Sequence, residues 1–196
     1  MTKQIIIYDT TLRDGTQGEQ VNLSAEDKLR IARKLDEFGV QYVEGGWPGS
    51  NPKEAIFFEM AKKESFQQAS LTAFGSTRGA QTSPEKDKNL KALLQTGAET
   101  VTIFGKSWDF HASRILGVGL DENIDMIYST VEYLKKMGRY LIYDAEHFFD
   151  GFKNNSVYAL KTLEAAATGG ADIIVLCDTN GGTMPEEILE IIKKVS

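Results

Sequence analysis

Six times along this sequence a short apolar run rich in β-branched residues gives way to a longer stretch of helical period, which restricts the chain to a parallel α/β architecture. The runs fall at residues 4–9, 41–45, 70–75, 100–105, 140–145 and 172–177. Each is short and nearly continuously apolar, as expected of strands covered on both faces. The helices between them carry their own start and stop chemistry. Ser24 stands three residues before Asp27 and ahead of LRIARKLDEFG, predicting a capped start with Gly39 as the stop. Pro52, Pro84 and Pro185 sit near the first turns of helices two, three and six, where a missing backbone N–H costs little. Gly97, Gly138 and Gly169 are expected to end helices three, four and five.

At about 33 residues per unit, six units fall short of the roughly 250 residues of a closed eight-unit barrel. Spacing alone fits an incomplete (β/α)8 barrel, stopping on the amphipathic helix PEEILEIIKKVS before units seven and eight. It fits equally an open, doubly wound sheet, which six parallel strands form by themselves. The incomplete barrel would expose strand edges at strands one and six, so dimerisation or aggregation is expected of it. After the fourth run, GKSWDFHASRILGVGLDE reads as a connection of roughly sixteen residues before the next clear helix, and loops of that length are usually lids or binding loops. With no linker or low-complexity tract, the 196 residues read as one domain.

Lysine and arginine total 22 against 28 acidic residues, a net charge of −6, which offers no basic face for a phosphate backbone and argues against nucleic acid. No stretch approaches the roughly 20 apolar residues needed to cross a bilayer, and MTKQIIIYDTT lacks the basic start and long apolar segment of a signal peptide. A cytoplasmic protein without membrane contact is expected. Cys177 is the one cysteine, which excludes an intramolecular disulfide and a multi-cysteine metal cluster; a plain buried cysteine is the expectation.

In parallel α/β folds the working groups gather at the carboxyl ends of strands, and here those ends are DTTLRDGTQ, EGGWPGSNP, DAEHFFDG and CDTNGG. They supply Asp9, Arg13, Asp14, Glu44, Asp144, Glu146, His147, Asp178 and Thr179. An ionised carboxylate at Asp14 is an oxygen ligand suited to a hard or borderline divalent metal. Its neighbour Arg13 carries planar, permanently charged donors suited to an oxyanion developing on a bound substrate. A lone Arg-Asp pair would read as an ordinary surface ion pair; the following Gly15 and the convergent acidic strand ends favour the functional reading. Glu146 and His147 are both candidates for proton transfer, with a supporting structural role equally open for His147. The hydroxyl of Thr179 suits a substrate carboxylate, although N-G-G after it is also plain turn chemistry.

At these residues a family resemblance becomes specific. DTTLRDGTQ resembles the signature of the metal-dependent Claisen-condensing TIM barrels, which include isopropylmalate synthase, homocitrate synthase, citramalate synthase and hydroxymethylglutaryl-CoA lyase. EGGWPGSNPKE and DAEHFFDGFK are more similar to the citramalate synthase branch than to the isopropylmalate branch, and the resemblance covers essentially the whole chain. It implies the closed (β/α)8 fold, with residues 1–196 as the N-terminal part of the catalytic barrel. It further implies Asp14 as a ligand of a divalent metal (zinc, manganese or magnesium) and Arg13 at the substrate keto oxygen. Glu44 would support both, Glu146 would move a proton, and Thr179 would hold the keto-acid carboxylate, with His147 beside it. The implied reaction joins the acetyl group of acetyl-CoA to a 2-keto acid, pyruvate before 2-ketoisovalerate, in a homodimer serving isoleucine synthesis. Carbon–carbon lysis of an acyl-CoA is the alternative within the family. The family's His-x-His ligand pair does not occur here, the two histidines being His111 and His147, so a third expectation is a fragment inactive by itself.

Overall fold

The computed structural model describes residues 5–195. The strands Tyr8–Asp9 (β1), Tyr42–Gly46 (β2), Ser70–Ser76 (β3), Thr100–Lys106 (β4), Tyr140–Glu146 (β5) and Ile173–Leu176 (β6) follow one another in the sheet in chain order. A doubly wound sheet must reverse its strand order at a switch point, so the consecutive order removes that alternative and leaves the barrel type. The chain divides into two compact units, residues 1–75 with 88–102, and residues 76–87 with 103–196.

In the first unit, β1 and β2 pair in parallel with Tyr8 opposite Tyr42, and β2 pairs with β3 with Glu44 opposite Thr72. The register slips between Glu44 and Gly46, a bulge that bends the end of β2 where Glu44 sits. The helix Ala25–Phe38 (α1) opens as expected: Ser24 Oγ accepts from Asp27 N and the Asp27 side chain accepts from Ser24 N. It closes on Gly39 at φ 88°. Its inward face carries Ala25, Lys28, Leu29, Ala32 and Asp36 at helical spacing. The helix Pro52–Ala61 (α2) starts on Pro52, with Asn51 accepting from Glu54 N. It packs so closely on β2 that a Cβ at Gly45 would lie 2.6 Å from Phe57 Cε1. Lys88–Gln95 (α3) precedes β4; Pro84 starts a separate 3-10 turn, Pro84–Lys86, rather than the helix itself.

In the second unit, β5 and β6 run parallel with Ile142 opposite Ile173. The segment after β4, expected as a loop, is wound instead into a short helix, Asp109–His111 (α4), and a π turn, Ala112–Leu116, ending on Gly117 at φ 67°. Leu120–Lys136 (α5) follows, then Phe148–Gly169 (α6) and Pro185–Val195 (α7). Helix α6 breaks at Asn155 (φ −148°, ψ 81°), whose side chain accepts from Tyr158 N and starts the second half. The amides of Asn154 and Asn155 grip the two carboxylate oxygens of Asp109 at 2.9 Å each, which ties down α4. Gly170, at φ 99°, is the left-handed stop of α6. Gly169, expected in that role, is the last helical residue, and a Cβ there would meet Val131 of α5 at 2.9 Å.

Three further expectations change. The first run gives a strand only at its end: Gln4 lies outside the described residues, and Ile5 to Ile7 are exposed coil. Ile7 O still accepts from Tyr42 N at 3.1 Å, but the Ile7 N–H goes to the side chain of Gln41 instead of a backbone carbonyl. Strand β6 is half-exposed along much of its length, not covered on both faces. Cys177 is likewise half-exposed rather than buried. No helix among the described residues is long and apolar enough to cross a membrane.

Candidate active site

The loop after β1 is a compact turn with its own internal bonding. Asp9 accepts from Thr11 N at 3.0 Å and Thr11 Oγ1 at 3.1 Å, while Thr10 O accepts from the backbone N–H groups of Arg13 and Gly15, each at 3.1 Å. Leu12, fully buried, roots the loop in the core. The chain therefore presents Arg13 and Asp14 from a fixed base.

Arg13 is held on three sides within the first unit. Its Nε donates to Glu44 Oε1 at 2.5 Å, its Nη1 to Asp14 Oδ1 at 3.0 Å, and its Cζ lies 3.9 Å from the centre of the Phe74 ring. Nη2 has no protein partner among the described residues. Glu44 is fully buried, and its other oxygen accepts from Tyr8 Oη at 2.5 Å; Tyr8 Oη is in turn 2.8 Å from Thr102 Oγ1. Burial pushes the Glu44 carboxyl above its ordinary range, against the pull of Arg13 and the Tyr8 hydrogen bond. Asp14 is the exposed member, with 60% of its side chain open to solvent. The expected trio of Arg13, Asp14 and Glu44 thus meets in space.

A second group assembles within the second unit. Glu146, at the end of β5, is ion-paired to Lys106 at the end of β4. His147 takes a left-handed backbone (φ 54°, ψ 35°) as the residue before α6, an uncommon conformation for a side-chain-bearing residue. Its N–H donates to Thr179 Oγ1 at 2.9 Å, which leaves the Thr179 hydroxyl hydrogen for another acceptor. Its ring meets Asp150 at 3.2 Å, and Asp150 also accepts from Asn180 at 2.9 Å. The His147 ring stands edge-on to His111, centroids 4.4 Å apart, with Trp108 4.8 Å from His111. Burial lowers the His111 imidazole below its ordinary value, helped by the charges of His147 and Lys106. Gly151 makes this packing possible, since a Cβ there would lie 2.3 Å from Ser107 O.

Two of the strand-end candidates serve local structure. Asp9 closes its own turn, and Asp178 accepts from Thr183 N at 3.0 Å and Thr183 Oγ1 at 2.8 Å. Those hydrogen bonds hold the Asp178 carboxyl below its usual value. The turn reading of N-G-G is correct too: Gly181 N donates to Asp178 O at 2.8 Å, alongside the role of Thr179. Sequence reasoning missed Tyr8, Phe74, Thr102, Lys106 and Trp108. Lys106 alone carried a usable signal, a charge closing the apolar run TVTIFG.

Residues 4–196 match the family model described as HMGL-like. The chain is 58% identical over 189 residues to an (R)-citramalate synthase of Geobacter sulfurreducens, covering 96% of this chain and 36% of that protein. It is 32% identical over 197 residues to a 2-isopropylmalate synthase of Sulfolobus acidocaldarius, covering 99% of this chain and 47% of that one. The chain thus spans about a third of the length of the first relative and about half that of the second. Among solved structures, hydroxymethylglutaryl-CoA lyase from Pseudomonas aeruginosa superposes with a TM-score of 0.78 at 18% identity, over 98% of this chain and 64% of that one, a likeness of fold. The consecutive parallel strands, the shared fold and a family match along nearly the whole sequence agree: the chain belongs to the HMGL-like family.

Proposed function

We propose that this chain carries the N-terminal part of the catalytic barrel of a citramalate synthase, an acyltransferase that condenses acetyl-CoA with pyruvate to give citramalate and CoA. The observation that carries the reading is the clamped Arg13, whose Glu44, Asp14 and Phe74 contacts leave Nη2 for a substrate oxygen. The greater identity to an (R)-citramalate synthase than to a 2-isopropylmalate synthase supports pyruvate over 2-ketoisovalerate.

A proton leaves the methyl carbon of acetyl-CoA, and the resulting enolate carbon bonds to the keto carbon of pyruvate, pushing an electron pair onto the keto oxygen. Arg13 stabilises that oxygen as it turns negative, an interaction stronger in the transition state than in the ground state. Glu146 is assigned the removal of the methyl proton, with Lys106 holding its carboxylate, and a proton delivered from solvent converts the new alkoxide to the hydroxyl of citramalate. The Thr179 hydroxyl donates to the pyruvate carboxylate, and His147 fixes Thr179 through its backbone N–H. Water then hydrolyses the thioester and releases CoA.

A divalent metal (zinc, manganese or magnesium) requires several donors, and no group of three or more His, Cys, Asp or Glu among the described residues is arranged to hold one. The residues present therefore do not fit a complete metal centre, and Asp14 is proposed as a single oxygen ligand. The cytoplasmic homodimer of isoleucine synthesis rests on the family resemblance.

Incubating the full-length polypeptide with acetyl-CoA and a panel of 2-keto acids, while titrating released thiol, tests the assignment. Thiol release with pyruvate is expected. Preference for 2-ketoisovalerate would reassign the activity to isopropylmalate synthesis, and cleavage of an acyl-CoA without keto acid would reassign it to a lyase.

A further inference from the structure

Both oxygens of the buried Glu44 are occupied, and by donors from different elements. Arg13 Nε donates to one at 2.5 Å and Tyr8 Oη to the other at 2.5 Å. An ionised carboxylate only accepts, so the single hydroxyl hydrogen of Tyr8 is committed to Glu44. The 2.8 Å contact between Tyr8 and Thr102 then has Thr102 as its donor. Hydrogen bonds run one way, from Thr102 on β4 through Tyr8 on β1 to Glu44 on β2, where Arg13 donates from the opposite side.

We propose that Tyr8, backed by Thr102, is a positioning residue that fixes the Glu44 carboxylate and through it aims Arg13 at the substrate oxygen. This rests on the reading of Arg13 as the oxyanion-stabilising group. Remove the Tyr8 hydroxyl, and one Glu44 oxygen loses its hydrogen bond in a site closed to water, so the carboxylate can turn about its last torsion. Arg13 then loses the direction of its Nε bond while keeping its charge and its seat on Phe74. The aromatic packing of Tyr8 on Tyr42, centroids 6.2 Å apart, would survive in phenylalanine. Valine likewise keeps the shape of the fully buried Thr102.

The test uses the full-length polypeptide with Tyr8→Phe, Thr102→Val and Thr102→Ser. Aim matters most when charge develops, so Tyr8→Phe is expected to lower kcat about 10- to 100-fold while KM for the keto acid moves less than about 3-fold. Thr102→Val is expected to lower kcat about 3- to 10-fold, and Thr102→Ser, which restores the hydroxyl, to recover it. A readout without turnover is the Nε–H cross-peak of Arg13 in a 1H–15N spectrum, expected to shift or broaden in Tyr8→Phe and Thr102→Val but not in Thr102→Ser. An unmoved cross-peak, an unchanged kcat, or a Ser variant as poor as Val would overturn the positioning role. Wild-type protein that releases no thiol with any 2-keto acid would instead defeat the acyltransfer reading, with the cross-peak still deciding whether Tyr8 orients Arg13.

Discussion

Gly46 offers the sharpest test of how the end of β2 is built. Its φ of +146° is one that residues with a side chain rarely adopt, and a Cβ added there would lie 1.6 Å from Glu54 Oε2 and 3.0 Å from Lys28 Nζ. A carboxylate normally swings aside at little cost. This one is pinned, because Lys28 Nζ, with Lys28 only 1% exposed, holds it at 2.5 Å, and burial already lowers the affinity of that lysine for its proton. Gly46→Ala must therefore break a buried ion pair, which costs about 3–5 kcal/mol, and add about 1–3 kcal/mol of backbone strain. Together these reach about 4–8 kcal/mol, against roughly 5–15 kcal/mol for the whole stability of an ordinary domain. Urea unfolding followed by tryptophan fluorescence and circular dichroism would measure it. In a Lys28→Met/Glu54→Ala background the obstructing carboxylate and both charges are gone, so Gly46→Ala is expected to cost only the backbone strain, a coupling of about 3–5 kcal/mol between the sites. Equal costs in the two backgrounds, or a cost below about 1 kcal/mol in wild type, would refute the steric and electrostatic argument.

Three other outcomes are expected. Ser24→Ala removes half of the capping box of α1 and should destabilise the fold by about 1 kcal/mol in the same urea assay, whereas Ser24→Thr, which keeps the hydroxyl that donates to Asp27, should be nearly neutral. The raised Glu44 carboxyl binds its proton more tightly folded than unfolded, so its contribution to stability is complete below the unfolded value and is lost as pH climbs through the folded one. Glu44→Gln should therefore flatten the fall in urea midpoint as pH rises above the ordinary carboxylate range, and a steeper fall would reverse the sign argued here. Asp14→Ala should abolish calorimetric binding of zinc, manganese or magnesium to the full-length polypeptide; tight binding that survives would remove Asp14 from the ligand role.

Much of the frame could be read from the sequence because its signals are local. Ser24 with Asp27, Gly39, and Pro52 after Asn51 each act within a turn of where they stand. What escaped depends on partners far along the chain. Ile5 to Ile7 have the composition of a strand, but the Gln41 side chain takes the Ile7 N–H. The segment 109–116 is too short to display a helical period, and its order comes from Asn154 and Asn155 on α6. In the Gly169-Gly170 pair either residue suits a left-handed stop, and the close approach to Val131 decides which. The same division holds at the site. Arg13, Asp14 and Glu44 announce themselves by residue type at strand ends, while Tyr8 and Thr102 are good strand formers inside β1 and β4 and look like nothing more. Lys106 joins Glu146 across forty positions of sequence, a distance no motif spans.

The strands lie side by side in the sheet in the order in which the chain delivers them. Each new strand thus finds a docking edge on the one just before it, and closing each loop involves only a few dozen residues, so ordering can spread from unit to unit without a distant encounter. The same arrangement lets the connection after any one strand be lengthened, shortened or exchanged while its neighbours keep their register. A scaffold of this kind can acquire a different substrate by tailoring one crossover at a time.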